Sequence, residues 1–181
     1  MSKKREFWPV IFLTLVVVIS IVALTLANGI TKDKIVQAKQ DAVAEMLATL
    51  FPNMESFTYD ENGGLYTVLS GGEPIGHAFM AQGRGYGGTI DILIGLKPDN
   101  KSLQGIKIIT QQETPGLGAK IINTSFLDQF NGVGVNEVEL SRDGGKIDAI
   151  TGATISSTAV VNGVKQAIIK ELVNQHKGGN S

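Results

Sequence analysis

Residues 7–27 contain no charged side chain, and Val, Ile and Leu dominate them. A helix of about 21 residues at 1.5 Å rise is ~31 Å long, the thickness of a bilayer's hydrocarbon core. The run therefore predicts a transmembrane helix over 7–27. Lys3, Lys4 and Arg5 directly precede it, and cations flanking a spanning helix stay on the cytoplasmic side. This makes residues 1–6 a cytoplasmic tail and places Trp8 at the inner interface. The remainder then lies on the extracytoplasmic face of the plasma (inner) membrane, in a single-pass topology. A cleaved signal peptide is the alternative, with Thr25-Leu26-Ala27 as a small-residue cleavage site, although the apolar region of a signal peptide runs only ~7–15 residues. No cysteine follows the run, which excludes a lipoprotein anchor.

Beyond the run the chain carries 13 cationic and 16 anionic side chains, a net charge of −3. That balance lacks the clustered Lys and Arg that a nucleic-acid phosphate backbone demands, so nucleic acid is excluded as a partner. With no cysteine at all, disulfides, thiolate zinc sites and cysteine-ligated iron–sulfur clusters are excluded too. Redox chemistry would have to come from an organic cofactor or a different metal site. At 181 residues there is room for one domain of ordinary size besides the anchor.

Residues 28–50 read as a connecting amphipathic helix, with Ile35, Val36, Lys39, Val43, Met46, Leu47 and Leu50 at spacings of three and four. Short β-rich runs follow at 56–59, 65–69, 75–81, 89–96 and 105–110, separated by turn signals such as Asn62-Gly63-Gly64 and Gly71-Gly72-Glu73-Pro74. A short helix is predicted over 123–130, a strand over 146–150, and a last helix from near Ile155. The face of that helix collects Val160, Val161, Val164, Ala167, Ile168, Leu172 and Val173. The predicted architecture is α+β: one domain over 51–176, a mostly antiparallel sheet packed by helices, and a flexible tail at 177–181.

Three glycine-containing segments stand out. Gly83-Arg84-Gly85-Tyr86-Gly87-Gly88 has the spacing of a dinucleotide fingerprint, but the β-branched run after it opens a strand where that fingerprint needs a helix. It is either a structural turn or a place where backbone approaches a flat ligand, with Tyr86 as the side chain on offer. Glu113-Thr114-Pro115-Gly116-Leu117-Gly118 is a turn that holds Leu117 at its tip, either toward an apolar partner or as a plug for the core. Lys120 follows it. In Asp148-Ala149-Ile150-Thr151-Gly152-Ala153-Thr154-Ile155-Ser156-Ser157-Thr158 a strand ends, a tight turn intervenes and a helix begins. The unsatisfied first-turn amides of Ile155, Ser156 and Ser157 make an anion site, unless the hydroxyls of Thr154, Ser156 or Ser157 simply cap them.

Together these segments, behind a membrane helix, resemble the FMN-binding domain family shared by the G subunit of the RNF electron-transport complex and the C subunit of the Na⁺-translocating NADH:quinone reductase. The family's flavinylation motif is Asp, two variable residues, Ser or Thr, then Gly-Ala-Thr, and Asp148, Thr151, Gly152, Ala153 and Thr154 fill it. The resemblance implies FMN attached covalently to Thr154 through a phosphodiester by a separate flavin transferase, which would recognise Asp148. It also implies an electron-relay subunit of an ion-translocating oxidoreductase, with other subunits as partners and no catalytic residue of its own. The flavin ring is expected over Leu117 and Pro115, with Glu113, Thr114, Gly116 and Gly118 around it and Tyr86 nearby. Ile155 and Ser156 are expected at the phosphate, and Lys120 is a candidate to meet negative charge on the reduced ring. The compact length favours the RNF subunit over its quinone-reductase counterpart. A stand-alone membrane-anchored FMN module, and a structural protein in which Thr154 is only a cap, are the rivals.

Overall fold

The computed structural model of the protein describes residues 8–60 and 63–178. The expected cytoplasmic tail 1–6, Phe7 and the end of the expected tail at 179–181 lie outside them. Helix α1 runs unbroken over Trp8–Leu50, so the expected span and connecting helix are one 43-residue element. An isolated Gly29 costs about 1 kcal/mol in a helix and does not end one by itself. The hydroxyls of Ser20 and Thr25 donate to the carbonyls of Val16 and Ile21, each at 2.8 Å. Among the described residues no helix is long and apolar enough to cross a membrane. Side chains of α1 are described only over 11–21, at Thr25 and over 41–50, so a bilayer span over 7–27 rests on its sequence. The chain divides into two compact units, residues 1–43 and 44–181, and the sheet lies in the second.

Five strands, β1 (Ser56–Asp60), β2 (Leu65–Ser70), β3 (Glu73–Arg84), β4 (Thr89–Leu96) and β5 (Leu103–Thr110), form one sheet in chain order. Every neighbouring pair is antiparallel, as expected. Short connections dictate this, since a two- to six-residue link can only return the chain beside the strand it left. Between Ser70 and its partner Glu73, Gly71 and Gly72 both adopt positive φ, as a two-residue hairpin turn requires. Strand β3 runs three residues beyond the expected end, to Arg84 opposite Thr89, so the Gly-rich segment is the loop of the β3–β4 hairpin.

Strand β4 is covered on both faces, which is why its sequence is a nearly continuous apolar run and not an alternation. On one face Ile90, Ile92, Ile94 and Leu96 join a buried cluster with Phe126, Phe130 and Ile121. Val160, Val161, Val164 and Ile168 of helix α3 (Thr154–Gly178) complete that cluster. On the other, Phe51, just past the end of α1, lies so close that a Cβ on Gly95 would stand 3.2 Å from its ring. Helix α3 approaches β3 more closely still, for a Cβ on Gly83 would lie 2.3 Å from the Ala159 carbonyl oxygen. That contact sets the position of the start of α3 relative to the hairpin loop.

Three expectations are corrected. Val173 is 47% exposed, because nine residues past Val164 is about two and a half turns and brings it to the opposite side of the helix. Residues 146–150 form no strand: a single parallel bridge joins Leu140 to Ile147. The Asp148 N–H donates to Gln129 Oε1 at 2.7 Å and its carbonyl accepts from Gln129 Nε2 at 3.4 Å, so a side-chain amide takes the place of a ladder. The helix expected over 123–130 is one turn, α2 (Thr124–Leu127), followed by a 3₁₀ turn over Asp128–Phe130.

Candidate functional site

The β3–β4 hairpin loop, the turn after β5 and the first turn of α3 converge on a cleft of about 590 Å³. Tyr86, Glu113, Thr114, Leu117, Gly118 and residues 152–156 line it. Pockets for small organic ligands span ~300–1,000 Å³.

The hairpin loop closes through the Gly85 N–H, which donates to the Gly88 carbonyl at 2.8 Å. It rests directly on the backbone that follows β5: a Cβ on Gly87 would stand 1.9 Å from the Gln112 carbonyl oxygen. Close backbone approach, and no dinucleotide turn, is thus what these glycines provide. The Tyr86 ring projects outward, 75% exposed.

In the second segment the N–H groups of Leu117 and Ala119 both donate to the Thr114 carbonyl at 3.2 Å, with Gly116 at a φ of +78°. The tight turn leaves Leu117 at its tip, 48% exposed. The leucine therefore does not plug the core. It leans toward the third segment, where a Cβ on Gly152 would lie 3.4 Å from Leu117 Cδ2.

Helix α3 begins at Thr154, one residue earlier than expected. Its first-turn hydroxyls are used unequally. Ser157 Oγ donates to the Ala153 carbonyl at 3.0 Å and accepts from the Ile150 N–H at 3.0 Å. Ser156 Oγ donates to the buried Glu113 carboxylate. Neither serine turns its hydroxyl to the free amides, and Thr154 and Ile155 are exposed at the cleft. The Ser157 N–H already reaches the Ala153 carbonyl at 3.0 Å, so the amides without an intrahelical acceptor are those of Thr154, Ile155 and Ser156.

Of the residues singled out in the sequence, Tyr86, Glu113, Thr114, Leu117, Gly118, Gly152, Ala153, Thr154, Ile155 and Ser156 meet at the cleft. Pro115, Gly116, Thr151 and Lys120 are exposed and stand outside its lining. Asp148 is exposed and accepts from the Ser141 hydroxyl. Two parts of the arrangement had no sequence signal. Gln129 holds the Asp148 backbone from 19 residues away, and Glu113 receives hydrogen bonds from Tyr86, Gly87 and Ser156.

Residues 85–169 match the FMN-binding domain family, a span that takes in all three cleft segments. The cleft therefore lies within an FMN-binding domain. Along nearly its whole length the chain is also 35% identical to the G subunit of the ion-translocating oxidoreductase complex of Methanosarcina acetivorans, with 93% of this chain and 96% of that protein covered. Identity to the subunit of the same name from Vibrio cholerae is 32%, over 87% and 84% of the two chains. With the G subunit of the proton-translocating ferredoxin:NAD(+) oxidoreductase complex of Clostridium ljungdahlii it is 38%, over 63% and 62%. The chain belongs to the G-subunit family of ion-translocating oxidoreductase complexes. Its fold is shared with the C subunit of the Na(+)-translocating NADH-quinone reductase of Parabacteroides distasonis, at a TM-score of 0.51, 24% identity and 57% and 58% coverage. Shewanella oneidensis NqrC gives 0.54, 16% identity and 71% and 73% coverage.

Proposed function

We propose that this protein is the electron-relay subunit of a membrane-bound ion-translocating ferredoxin:NAD oxidoreductase, with FMN joined to Thr154 by a phosphodiester. The observation that carries the covalent assignment is the division of labour among the first-turn hydroxyls of α3. Those of Ser156 and Ser157 are committed inside the protein, while Thr154 stands exposed at the cleft.

The cleft suits FMN in size and in chemistry. The exposed apolar surfaces of Tyr86, Leu117 and Ile155 stand beside a helix N-terminus, where a flat ring wants apolar contact and a phosphodiester wants amide donors. When bound, FMN supplies electron transfer in single steps; the protein supplies position and field. Thr154 offers the bridging oxygen, and the amides of Thr154, Ile155 and Ser156 face the phosphoryl charge. Leu117 and Ile155 exclude water from the ring. Pro115, Gly116, Lys120 and Thr151 are assigned to the rim, and the exposed carboxylate of Asp148 to recognition by the flavin transferase.

Residues 7–27 anchor the chain in the bilayer in this reading. Every described apolar side chain from Ile11 to Ile21 is exposed, Ile11 and Leu13 at 65%, and the Ser20 and Thr25 hydroxyls are satisfied within the helix, as lipid demands. Lys3, Lys4 and Arg5 keep the N-terminus cytoplasmic, and the flavin domain meets its partner subunits on the other side. The test is to produce the full chain beside its flavin transferase and record intact mass and visible absorbance. Added FMN mass, a yellow protein and a modified peptide containing Thr154 are expected; a colourless protein of unmodified mass overturns the reading.

A further inference from the structure

Glu113 is 5% exposed, yet its carboxylate borders the cleft. Its two oxygens receive three donors from two other segments. The Gly87 N–H reaches Oε1 at 2.9 Å, the Tyr86 N–H reaches Oε2 at 3.3 Å, and the Ser156 hydroxyl also bonds Oε2. Glycines make the room for this group, since a Cβ on Gly85 would lie 2.2 Å from Oε1 and one on Gly118 2.7 Å from Oε2. From behind, the Glu113 N–H is pinned by Gln111 Oε1 at 2.6 Å. None of the ion pairs among the described residues includes Glu113.

Two features make this more than a staple. A carboxylate accepts on both oxygens, whereas a glutamine in the same place would turn an NH₂ toward a donor, so the three donors select an acid. A buried negative charge held by neutral donors and no cation is a costly way to join loops, and here it borders the space a flavin would fill. A fixed negative charge opposes the arrival of an electron nearby and lowers the potential of the acceptor.

We infer that Glu113 is the positioning residue of the flavin cleft. Its carboxylate clasps the hairpin loop and the first turn of α3 to the 113–118 turn, and its uncompensated charge holds the flavin potential down. This rests on the FMN reading above, and the two parts predict separable effects. E113Q keeps the size of the group and removes its charge, so the flavin potential moves positive. S156A keeps the charge and removes one donor that partly neutralises it, so the potential moves negative. Both variants alter the visible circular dichroism of the flavin, because the walls of its cleft shift.

The experiment uses full-length protein made with its flavin transferase, comparing wild type, E113Q and S156A by intact mass, redox titration and visible circular dichroism. Opposite potential shifts in the two variants support the inference. Should E113Q fail to fold or to take up FMN, S156A decides the matter: a negative shift with altered dichroism supports it, and wild-type values overturn it. Lowered melting temperatures with unchanged potential and dichroism reduce Glu113 to a structural staple. Wild-type protein without FMN mass sinks the cofactor reading and this inference with it, an outcome distinct from a loaded wild type whose variants do not shift.

Discussion

The N–H of Ile150 donates to the hydroxyl oxygen of Ser157 at 3.0 Å, tying the end of the pre-helix loop to the first turn of α3. Because the same hydroxyl also donates to the Ala153 carbonyl, Ser157 is a brace for the 150–153 turn and cannot serve a ligand without undoing it. With Ser156 committed to Glu113, Thr154 is the hydroxyl of the first turn of α3 left exposed at the cleft, which is the site proposed for FMN.

Thr154→Ala should therefore abolish covalent FMN and leave the domain folded, while Thr154→Ser should retain part of it, since serine keeps the hydroxyl and loses only the methyl that restrains χ1. Peptide mass mapping checks this. If Thr154 were merely a cap, alanine would cost ~0.5–2 kcal/mol of stability and leave mass and colour alone. FMN found on a peptide of Thr154→Ala would move the site to another hydroxyl.

Leu117→Ala should shift the visible spectrum of the flavin while the FMN mass stays complete. A core leucine cut to alanine costs ~2–5 kcal/mol, and Leu117, 48% exposed, should lose well under that. A large drop in melting temperature with an unchanged spectrum would return Leu117 to the core.

Gly87→Ala should destabilise the domain by about 1–3 kcal/mol, the usual range for forcing atoms into packed space, because its Cβ would stand 1.9 Å from the Gln112 carbonyl oxygen. Chemical denaturation measures it. Wild-type stability in this variant would mean that the loop does not rest on the 111–113 backbone.

Burial pushes the His77 imidazole below its ordinary value, with the charge of Glu171 pulling the other way. At pH well above 6.5 the ring is neutral folded or unfolded, and the fold has its full stability. As the pH falls through 6.5 the unfolded chain takes up the proton first, so stability declines until the lowered folded value is passed. His77→Gln should lose less stability than wild type between about pH 7.5 and about pH 5.5. Parallel stability curves for the two proteins would show that His77 does not contribute.

In the proposed topology, with Lys3, Lys4 and Arg5 on the cytoplasmic side, protease added to sealed spheroplasts should trim the domain beyond the apolar run. Protection there, with digestion in inverted vesicles, would reverse the topology.

Some of this was legible along the chain because its causes are local. Gly71-Gly72 specifies a hairpin turn through positive φ, and the tight turn at Gly152-Ala153 places Thr154 at a helix start. The sequence by itself thereby determined an α+β domain with an antiparallel sheet and the three segments from which a site could be built. It could not say which way Leu117 faced, that Lys120 would stand outside the cleft lining, or that 146–150 would be held by Gln129 and not by a ladder. Tertiary structure alone decided those matters, and above all the meeting of Glu113 with Gly87 and with Ser156, 26 and 43 residues away. Turns and helix starts follow from the torsional preferences of a few adjacent residues. The partners of a buried carboxylate follow from how sheet and helix pack, where desolvation forces each polar group to find whatever donor the fold brings within reach.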